Sequence, residues 1–181
     1  MSQGEILNII ITGTGGQGVF TLSNLIRKLA VNKGLRCEGA TFKGGAQRMG
    51  SIHTELRILK DADSKAHFSS QIPIGAVDLL IGMEPWEALR FANRCNSNTK
   101  SIINSQEEKL YAERYQKTEL INPVESLENV FNIPIIKNYT QLSKEQTGCT
   151  KITNYIMLED SIEKGYLPFT IEELEAIKIE K

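Results

Sequence analysis

The sequence predicts an α/β fold, a Rossmann-like three-layer sandwich with a mainly parallel sheet. An apolar run breaks into a glycine-rich turn, a helical repeat of apolar residues follows it, and strand-like segments then alternate with helix-like ones. With 181 residues, 40% of them hydrophobic, the chain can bury a substantial core. We therefore expect a single domain over residues 1–181, with any ligand at the carboxyl edge of its sheet.

The first predicted unit is a buried strand, a glycine turn and an amphipathic helix. Gly13, Gly15 and Gly18 fit the pattern G-x-G-x-x-G, in which glycine permits the tight turn and lets a pyrophosphate approach backbone amides. The helix repeat comprises Val19, Leu22, Leu25, Ile26, Leu29 and Ala30, with Gly34 as its stop. The positive end of this helix favours an anion. The predicted phosphate site comprises Gly13, Thr14, Gly15, Gly16, Gln17 and Gly18. The alternative is that the glycines serve only close packing between strand and helix.

A second glycine-bearing loop follows a predicted strand at residues 36–42. Its candidate ligand residues are Gln47, Arg48, Gly50 and Ser51. The Arg48 guanidinium can bind a phosphate or carboxylate through two parallel hydrogen bonds, with neutral donors beside it. Residues 52–58 then alternate like a half-exposed strand, which predicts a hairpin or a sheet edge. We expect this loop to lie beside the first one; the alternative is a solvated surface loop.

Later segments continue the alternation. We predict a buried strand at 76–82, a helix at 84–91 that starts near Pro85, a strand at 100–104, a helix at 150–165 and a last helix with a capping box from Thr170 to Glu173. The signals weaken around Pro123 and Pro134. Glu84 and Asn104 follow strands and are further candidates for the carboxyl edge. The alternatives are a first-turn acid favoured by the helix dipole and a turn-forming Asn.

Composition excludes several classes of function. A net charge of −1 without a basic stripe argues against nucleic acid and anionic membranes as partners, and the start of the chain predicts no signal peptide or membrane span, so we expect a cytoplasmic protein. Cys37, Cys95 and Cys149 are widely separated, which predicts reduced thiols and no iron–sulfur cluster. His53 and His67 lack metal-ligand spacing, so we expect no metal site. The sequence offers no candidate catalytic residue.

Four blocks of sequence resemble a known family. They are TGTGGQG at 12–18, GAQRMGS at 45–51, DLLIGMEPWEALR at 78–90 and TNYIML at 153–158. In this order they resemble the gamma-type subunit or domain of 2-oxoacid:acceptor oxidoreductases (pyruvate/ketoisovalerate oxidoreductase gamma type), and most of all the indolepyruvate ferredoxin oxidoreductase branch. The resemblance spans nearly the whole chain.

The resemblance implies a supporting role in a larger enzyme. Family members act with a larger partner subunit that binds thiamine diphosphate and iron–sulfur clusters, converts a 2-oxoacid such as indolepyruvate to an acyl-CoA and passes electrons to ferredoxin. The gamma-type domain helps to receive coenzyme A at the interface. Gly13 to Gly18 and Gln47 to Ser51 would then line the ligand or subunit face. The chain alone would be inactive, and in isolation it would pair with a second copy through an exposed apolar patch.

Two departures from the family pattern affect these expectations. Met49 stands where the family usually has glycine, and because Met adopts a positive φ less cheaply, the loop geometry should differ. Glu159 and Asp160 follow Leu158 where the family usually has Gly-Ala. Either this face of the helix has become exposed or the contact with the partner has changed.

Two other classes of protein remain open from the sequence alone. One is a free-standing NAD-binding dehydrogenase, in which Glu38 would bind a ribose hydroxyl, since it follows the glycines at a suitable distance. No recognisable proton-transfer pair supports it. The other is a structural or ligand-sensing paralogue that keeps the fold without the ligand, an interpretation that the changes at Met49, Glu159 and Asp160 favour.

Overall fold

The computed structural model describes residues 6–44, 50–61, 67–107 and 121–179. Its strands are β1 (Ile6–Thr14), β2 (Cys37–Lys43), β3 (Ser51–Leu59), β4 (Leu79–Gly82), β5 (Lys100–Asn104) and β6 (Ile135–Lys137). Its helices are α1 (Val19–Asn32), α2 (Pro85–Phe91), α3 (Pro123–Val130), α4 (Tyr139–Thr147), α5 (Thr153–Glu163) and α6 (Ile171–Ile179). A single 3₁₀ turn, Ala92–Arg94, follows α2.

The described strands form one six-stranded sheet in the order β2-β3-β1-β4-β5-β6. β1, β4, β5 and β6 pair in parallel, whereas β3 pairs antiparallel with both β1 and β2. β3 is thus the one described strand that runs against the others, and β2 and β3 form the predicted hairpin. The mainly parallel α/β fold is confirmed.

Helices cover the sheet on both faces. Ile9 and Ile11 of β1 pack on one face in a core that includes residues of α1, α5 and α6. Ile10 packs on the other face in a second core, to which α2 contributes Ala88 and α3 contributes Leu127. Because β1 is buried on both faces, its sequence is a continuous apolar run rather than an alternating one.

The two clearest helix predictions are confirmed in detail. All six apolar residues predicted to repeat along α1 are buried, and Gly34 follows the helix with a φ of +73°. At α6, the Thr170 hydroxyl accepts a hydrogen bond from the Glu173 amide (3.3 Å) and the Glu173 carboxylate accepts one from the Thr170 amide (2.8 Å), which is the predicted capping box. Helix α5 is shorter than predicted, beginning at Thr153 and ending at Glu163.

The stretch from residue 121 to 147 holds three elements that the sequence did not predict, and prolines explain why. Pro123 is the first residue of α3, where its missing amide costs nothing, and the Asn122 side chain caps the helix by accepting from Val124 N at 3.0 Å. Pro134 directly precedes the three-residue strand β6. Both prolines therefore mark the starts of elements rather than interruptions.

One of the two sequence interpretations held that Asp160 lies on an exposed helix face. The structure differs from that interpretation. Asp160 Oδ2 accepts hydrogen bonds from Lys137 Nζ and from the hydroxyl of the buried Tyr139, each at 2.6 Å. These contacts join α5 to β6 and to the start of α4. The charge that replaces a small residue here thus has partners within the chain.

Candidate functional site

A cleft of about 430 Å³ opens at the carboxyl edge of the parallel strands. Its lining comprises Thr14, Gly15, Gly16, Gln17, Met83, Asn104, Gln106, Thr140, Thr150 and Thr153. These residues come from the ends of β1, β4 and β5 and from the starts of α4 and α5. All the side chains in this lining are uncharged, and four are threonines. The Thr153 hydroxyl donates to the Thr150 carbonyl at 2.9 Å, and the other three hydroxyls can donate to a ligand.

The glycine loop is held in shape by Gln17 and by two glycines in left-handed conformation. Gln17 Oε1 accepts a hydrogen bond from Thr14 N at 2.8 Å, and Gln17 N donates to Thr14 O at 3.2 Å. Gly16 has a φ of +100°, and Gly18, the N-cap of α1, has a φ of +88°. The carbonyl oxygen of the Gln17 side chain therefore stabilises the loop. Gln17 was predicted as a ligand-binding residue, and this structural role is an additional one.

The glycines of this loop have different structural roles. A Cβ at Gly13 would lie 2.8 Å from Met83 Cβ, and one at Gly18 would lie 2.3 Å from Asn154 Nδ2, so both positions serve close packing. A Cβ at Gly16 would meet nothing within 4 Å. The packing interpretation thus applies to Gly13 and Gly18, whereas Gly16 faces open space where a ligand can approach the backbone.

The N-terminus of α1 has no side-chain cap. Gly18 provides none, and the amides of Val19, Phe20 and Thr21 have no acceptor within the helix by geometry. The Asn154 side chain donates to the Gly18 carbonyl at 3.2 Å and so offers no acceptor to these amides through that contact. An uncapped helix start beside a cleft with neutral side chains favours an anion through backbone dipoles.

The second loop meets the first at Gly50, as predicted. Gly50 O accepts a hydrogen bond from Gly15 N at 3.0 Å, and Ser51 lies opposite Thr14 in the β1–β3 register. The Ser51 hydroxyl donates to Glu87 Oε2 at 2.5 Å, so it anchors α2 to β3. Gln47, Arg48 and Met49 lie outside the described residues.

Of the two further candidates, Asn104 lines the cleft and Glu84 does not. Glu84 is buried as the N-cap of α2, where its Oε2 accepts from Glu87 N at 2.8 Å, and it is absent from the cleft lining described above. Asn104 lines the cleft, but its Nδ2 donates to Thr140 Oγ1 (2.9 Å) and to Met83 O (3.2 Å). Asn104 therefore fixes the cleft wall by joining β5 to β4 and to α4.

Sequence reasoning missed the wall of the cleft that Thr140, Thr150 and Thr153 form. Thr140 belongs to α4, which was not predicted, and Thr153 is the first residue of α5. The available signal was the repeated occurrence of threonine near helix starts in this part of the chain. It does not indicate by itself that the two helices start beside the glycine loop.

His53 lies between two aromatic rings on the α2 side of the sheet. Its ring centroid is 4.7 Å from that of Phe42, with nearly parallel planes, and 4.5 Å from that of Phe91. Burial lowers the pKa of His53, the nearby Glu55 carboxylate opposes this shift, and the Arg94 guanidinium adds to it. The imidazole is therefore uncharged in the folded protein at neutral pH.

This environment predicts a loss of stability in acid. Because the folded pKa of His53 is below the ordinary value of about 6.5, the unfolded chain binds the proton more tightly. The contribution is complete above that value and is lost as the pH falls towards the lower folded pKa. Between about pH 7.5 and about pH 5, melting curves of wild type should shift down more than those of His53→Phe, which keeps the ring stack without titrating. Parallel shifts would contradict this assignment.

The dehydrogenase interpretation fails on the position of Glu38. Glu38 is the second residue of β2 and lies opposite Arg57 of β3, which in turn lies opposite Asn8 of β1. Asn8 is six residues before Thr14, which places Glu38 about 20 Å from the glycine loop along the strand direction. A carboxylate there cannot reach a ribose whose phosphates occupy the glycine loop.

The remaining titratable groups supply no metal site in the described ranges. There, no cluster of three His, Cys, Asp or Glu side chains could hold a metal ion, and no helix has the length and apolar character to cross a membrane. The three cysteines are free thiols at intermediate exposure. Burial raises the pKa of Cys95 to about 11.

The fold and the carboxyl edge of its sheet define the class of protein. It is an α/β domain in which a glycine turn joins the first strand to an uncapped helix beside a polar cleft. Residues 8–177 match the family described as "Pyruvate ferredoxin/flavodoxin oxidoreductase", and the chain belongs to this family. The family predicted from the four sequence blocks is thereby confirmed.

Known relatives agree with this assignment. The chain is 34% identical over 172 residues to indolepyruvate oxidoreductase subunit IorB of Archaeoglobus fulgidus, which covers 93% of this chain and 82% of the relative. Its fold is similar to that of pyruvate oxidoreductase subunit PORC from Thermotoga maritima, with a TM-score of 0.62 at 15% identity over 95% of this chain and 83% of that one.

A third similarity is to part of a longer chain. The 2-oxoglutarate:ferredoxin oxidoreductase from Magnetococcus marinus, solved with 2-oxoglutarate, coenzyme A and succinyl-CoA bound, matches with a TM-score of 0.62 at 15% identity. The match covers 96% of this chain but only 26% of that one. At this identity the similarity shows the fold alone.

Proposed function

We propose that this chain is the non-redox small subunit of a cytoplasmic 2-oxoacid:ferredoxin oxidoreductase, acting as a single gamma-type domain over residues 1–181. The enzyme would oxidatively decarboxylate a 2-oxoacid such as indolepyruvate to an acyl-CoA. The larger partner subunit would carry thiamine diphosphate and the iron–sulfur clusters and reduce ferredoxin. Similarity to IorB over 93% of the chain supports this role, and so does the polar cleft at the start of α1.

The cleft fits the phosphates of coenzyme A in its chemistry. The uncapped amides of α1 would face the pyrophosphate, and Gly16 leaves space for it to approach the backbone. Thr14 and Thr140 add neutral hydroxyls that can donate to phosphate oxygens, whereas the Thr153 hydroxyl donates to the Thr150 carbonyl at 2.9 Å. In this role the chain binds and orients the coenzyme, and the described cleft offers it no charged side chain.

Arg48 would supply the missing positive charge. Gly50, two residues after Arg48 in the sequence, lies beside the cleft, and its carbonyl accepts from Gly15 N. A guanidinium can hold a phosphate through two hydrogen bonds, which fixes orientation as well as affinity. Gln47 would lie next to it on the same loop.

Arg48→Ala in the assembled enzyme tests this role. We expect the KM for coenzyme A to rise about tenfold or more, because a hydrogen bond to a charged group contributes about 1.5–3 kcal/mol. The thiamine content should stay unchanged. Lys100→Ala is the matched control, since Lys100 is an exposed cation at the start of β5, on the opposite edge of the sheet. Unchanged kinetics for coenzyme A together with unchanged assembly would overturn the proposal.

A further inference from the structure

Strand β2 is a free edge of the sheet. Within the described residues it pairs with β3 alone, and the strand order places nothing on its other side. The Arg36 carbonyl accepts from Leu59 N at 2.9 Å and Gly44 N donates to the Ser51 carbonyl at 2.8 Å, so the even-numbered residues of this segment bond with β3. The residues whose backbone groups point away from the sheet are therefore Cys37, Gly39, Thr41 and Lys43.

This edge has little protection against pairing with another strand. A row of outward amides and carbonyls is a template for strand addition, which proteins usually block with proline, bulges or central charges. β2 contains no proline, and its register with β3 is continuous from Cys37 to Lys43. Its charged residues, Glu38 and Lys43, stand near the two ends, so the middle of the edge is neutral.

On the α2 side of the sheet, Phe42 ends a stack of rings. Phe42 and His53 are parallel within 11° with their centroids 4.7 Å apart, and Phe91 contacts the His53 ring at an interplanar angle of 48°. Among the described residues no further ring continues this stack beyond Phe42. A second aromatic ring beyond the edge would extend it.

On the α1 side, the edge carries a threonine pair. The Thr41 hydroxyl lies 2.9 Å from the hydroxyl of Thr54, which is fully buried. A hydroxyl has one donor and two acceptor positions, so the Thr41 side chain keeps capacity for a further partner. Threonines opposite each other on neighbouring strands form favourable pairs.

The sequence of this edge is complementary to itself. In an antiparallel register centred on Thr41, Thr41 lies opposite its own counterpart, Gly39 lies opposite Lys43, and Ala40 lies opposite Phe42. Each larger side chain thus faces a small one. The two Phe42 residues lie diagonally across the axis, about 7–8 Å apart, within reach of aromatic side chains.

We propose that two copies of this chain pair through β2 in this register and join their sheets into one. Gly39, Thr41 and Lys43 exchange backbone hydrogen bonds with the second copy, and the ring stack at Phe42 continues into it. This interface is a strand edge, which differs from the apolar patch expected from the sequence. The inference does not depend on the proposed function, because β2 and its neighbours alone carry it.

Like charges oppose the pairing at its two ends. A Cβ at Gly39 would lie 2.7 Å from Arg27 Nη2, so Lys43 of the second copy approaches Arg27. Salt screens charges at a protein surface, so self-association of the full chain should tighten as the ionic strength rises. An association that weakens with salt would contradict this register.

Disulfide trapping tests the register on the full chain. Opposite residues of a hydrogen-bonded pair have Cα atoms about 5.5 Å apart, within the range of a disulfide. In a background with Cys37→Ser and Cys149→Ser, Thr41→Cys should therefore form a covalent dimer under mild oxidation. Ala40→Cys is the matched control and should not, since its counterpart lies diagonally at about 7–8 Å. Trapping by Ala40→Cys and not by Thr41→Cys would overturn the proposal.

Sedimentation equilibrium distinguishes this edge from other surfaces. Phe42→Leu should weaken self-association about tenfold, because it removes the ring contact across the axis. Phe20→Leu is the control for loss of an exposed ring, since Phe20 is 60% exposed on α1, and it should change nothing. A wild-type chain that stays monomeric, or a dimer weakened by Phe20→Leu instead, refutes the proposal. Trapping of Thr41→Cys in intact cells should also succeed; failure there would mean that another chain covers β2, and the proposal would be wrong.

Discussion

Gly18→Ala should lower the free energy of unfolding by about 3 kcal/mol and disturb the start of α1. The left-handed backbone of Gly18 costs a residue with a side chain about 1–2 kcal/mol. The new Cβ would also lie 2.3 Å from Asn154 Nδ2, so the Asn154 amide must move and give up its hydrogen bond to the Gly18 carbonyl. Losing that bond within a buried contact adds about 1 kcal/mol or more.

Two glycines serve as matched controls. Gly16 and Gly34 also have positive φ, but a Cβ at either would meet nothing within 4 Å. Alanine at these positions should lower the free energy of unfolding by only about 1–2 kcal/mol, the cost of a left-handed backbone for a residue with a side chain. Chemical denaturation of the three variants measures the difference. Equal losses at Gly18 and Gly34 would show that the contact with Asn154 does not constrain the loop.

Arg94→Met should cost about 3 kcal/mol or more of stability. The Arg94 guanidinium donates to Glu55 Oε1 at 3.1 Å and to the Ile72 carbonyl at 2.7 Å. Glu55 is 3% exposed, so without Arg94 its charge keeps, among the described residues, the Ile72 amide 2.6 Å away and the half-buried His53 nearby. A buried ion pair that loses one partner leaves an uncompensated charge, and this is strongly destabilising.

The double variant Glu55→Gln with Arg94→Met isolates that charge. The glutamine side chain that Glu55→Gln introduces is neutral and can still accept from the Ile72 amide, so we expect most of the lost stability to return. Lys100→Met is the control for loss of a surface cation, because Lys100 is exposed at the start of β5. A double variant no more stable than Arg94→Met alone would refute the assigned role of the buried carboxylate.

The local parts of the fold could be predicted from the sequence because neighbouring residues determine them. The strand, glycine turn and helix from Ile6 to Asn32 depend on apolar spacing and glycine conformation within one segment. The capping box at Thr170 depends on two residues three positions apart. The meeting of the two glycine loops at Gly50 followed from the rule that ligand loops share the carboxyl edge.

What the sequence did not predict depends on contacts between distant residues. The three-residue strand β6 is too short for a periodic signal and forms by pairing with β5. The bond from Ser51 to Glu87 and the contact of Asp160 with Lys137 and Tyr139 join residues more than 20 positions apart. These partners decide that Ser51 anchors a helix rather than standing free for a ligand, and that Asp160 is satisfied within the chain.

The glycine pattern had two interpretations from the sequence, phosphate binding and close packing. In the structure, each interpretation applies to different glycines. Gly13 and Gly18 are required by close packing against Met83 and Asn154, whereas Gly16 borders open space beside the uncapped helix. Spacing alone cannot make this division, because Met83 and Asn154 lie far along the chain. The uncapped helix start, rather than the count of glycines, is therefore the stronger support for a phosphate ligand.

If this chain works as the small subunit beside a larger subunit that holds thiamine diphosphate and iron–sulfur clusters, the two should purify together. The experiment is anaerobic affinity purification of the tagged chain from its own cells, with mass spectrometry of the bound proteins and a visible absorption spectrum. We predict one large thiamine-binding partner in fixed ratio and the absorption of iron–sulfur clusters. A chain that purifies alone, without cluster absorption, and binds NAD in calorimetry would contradict the claim.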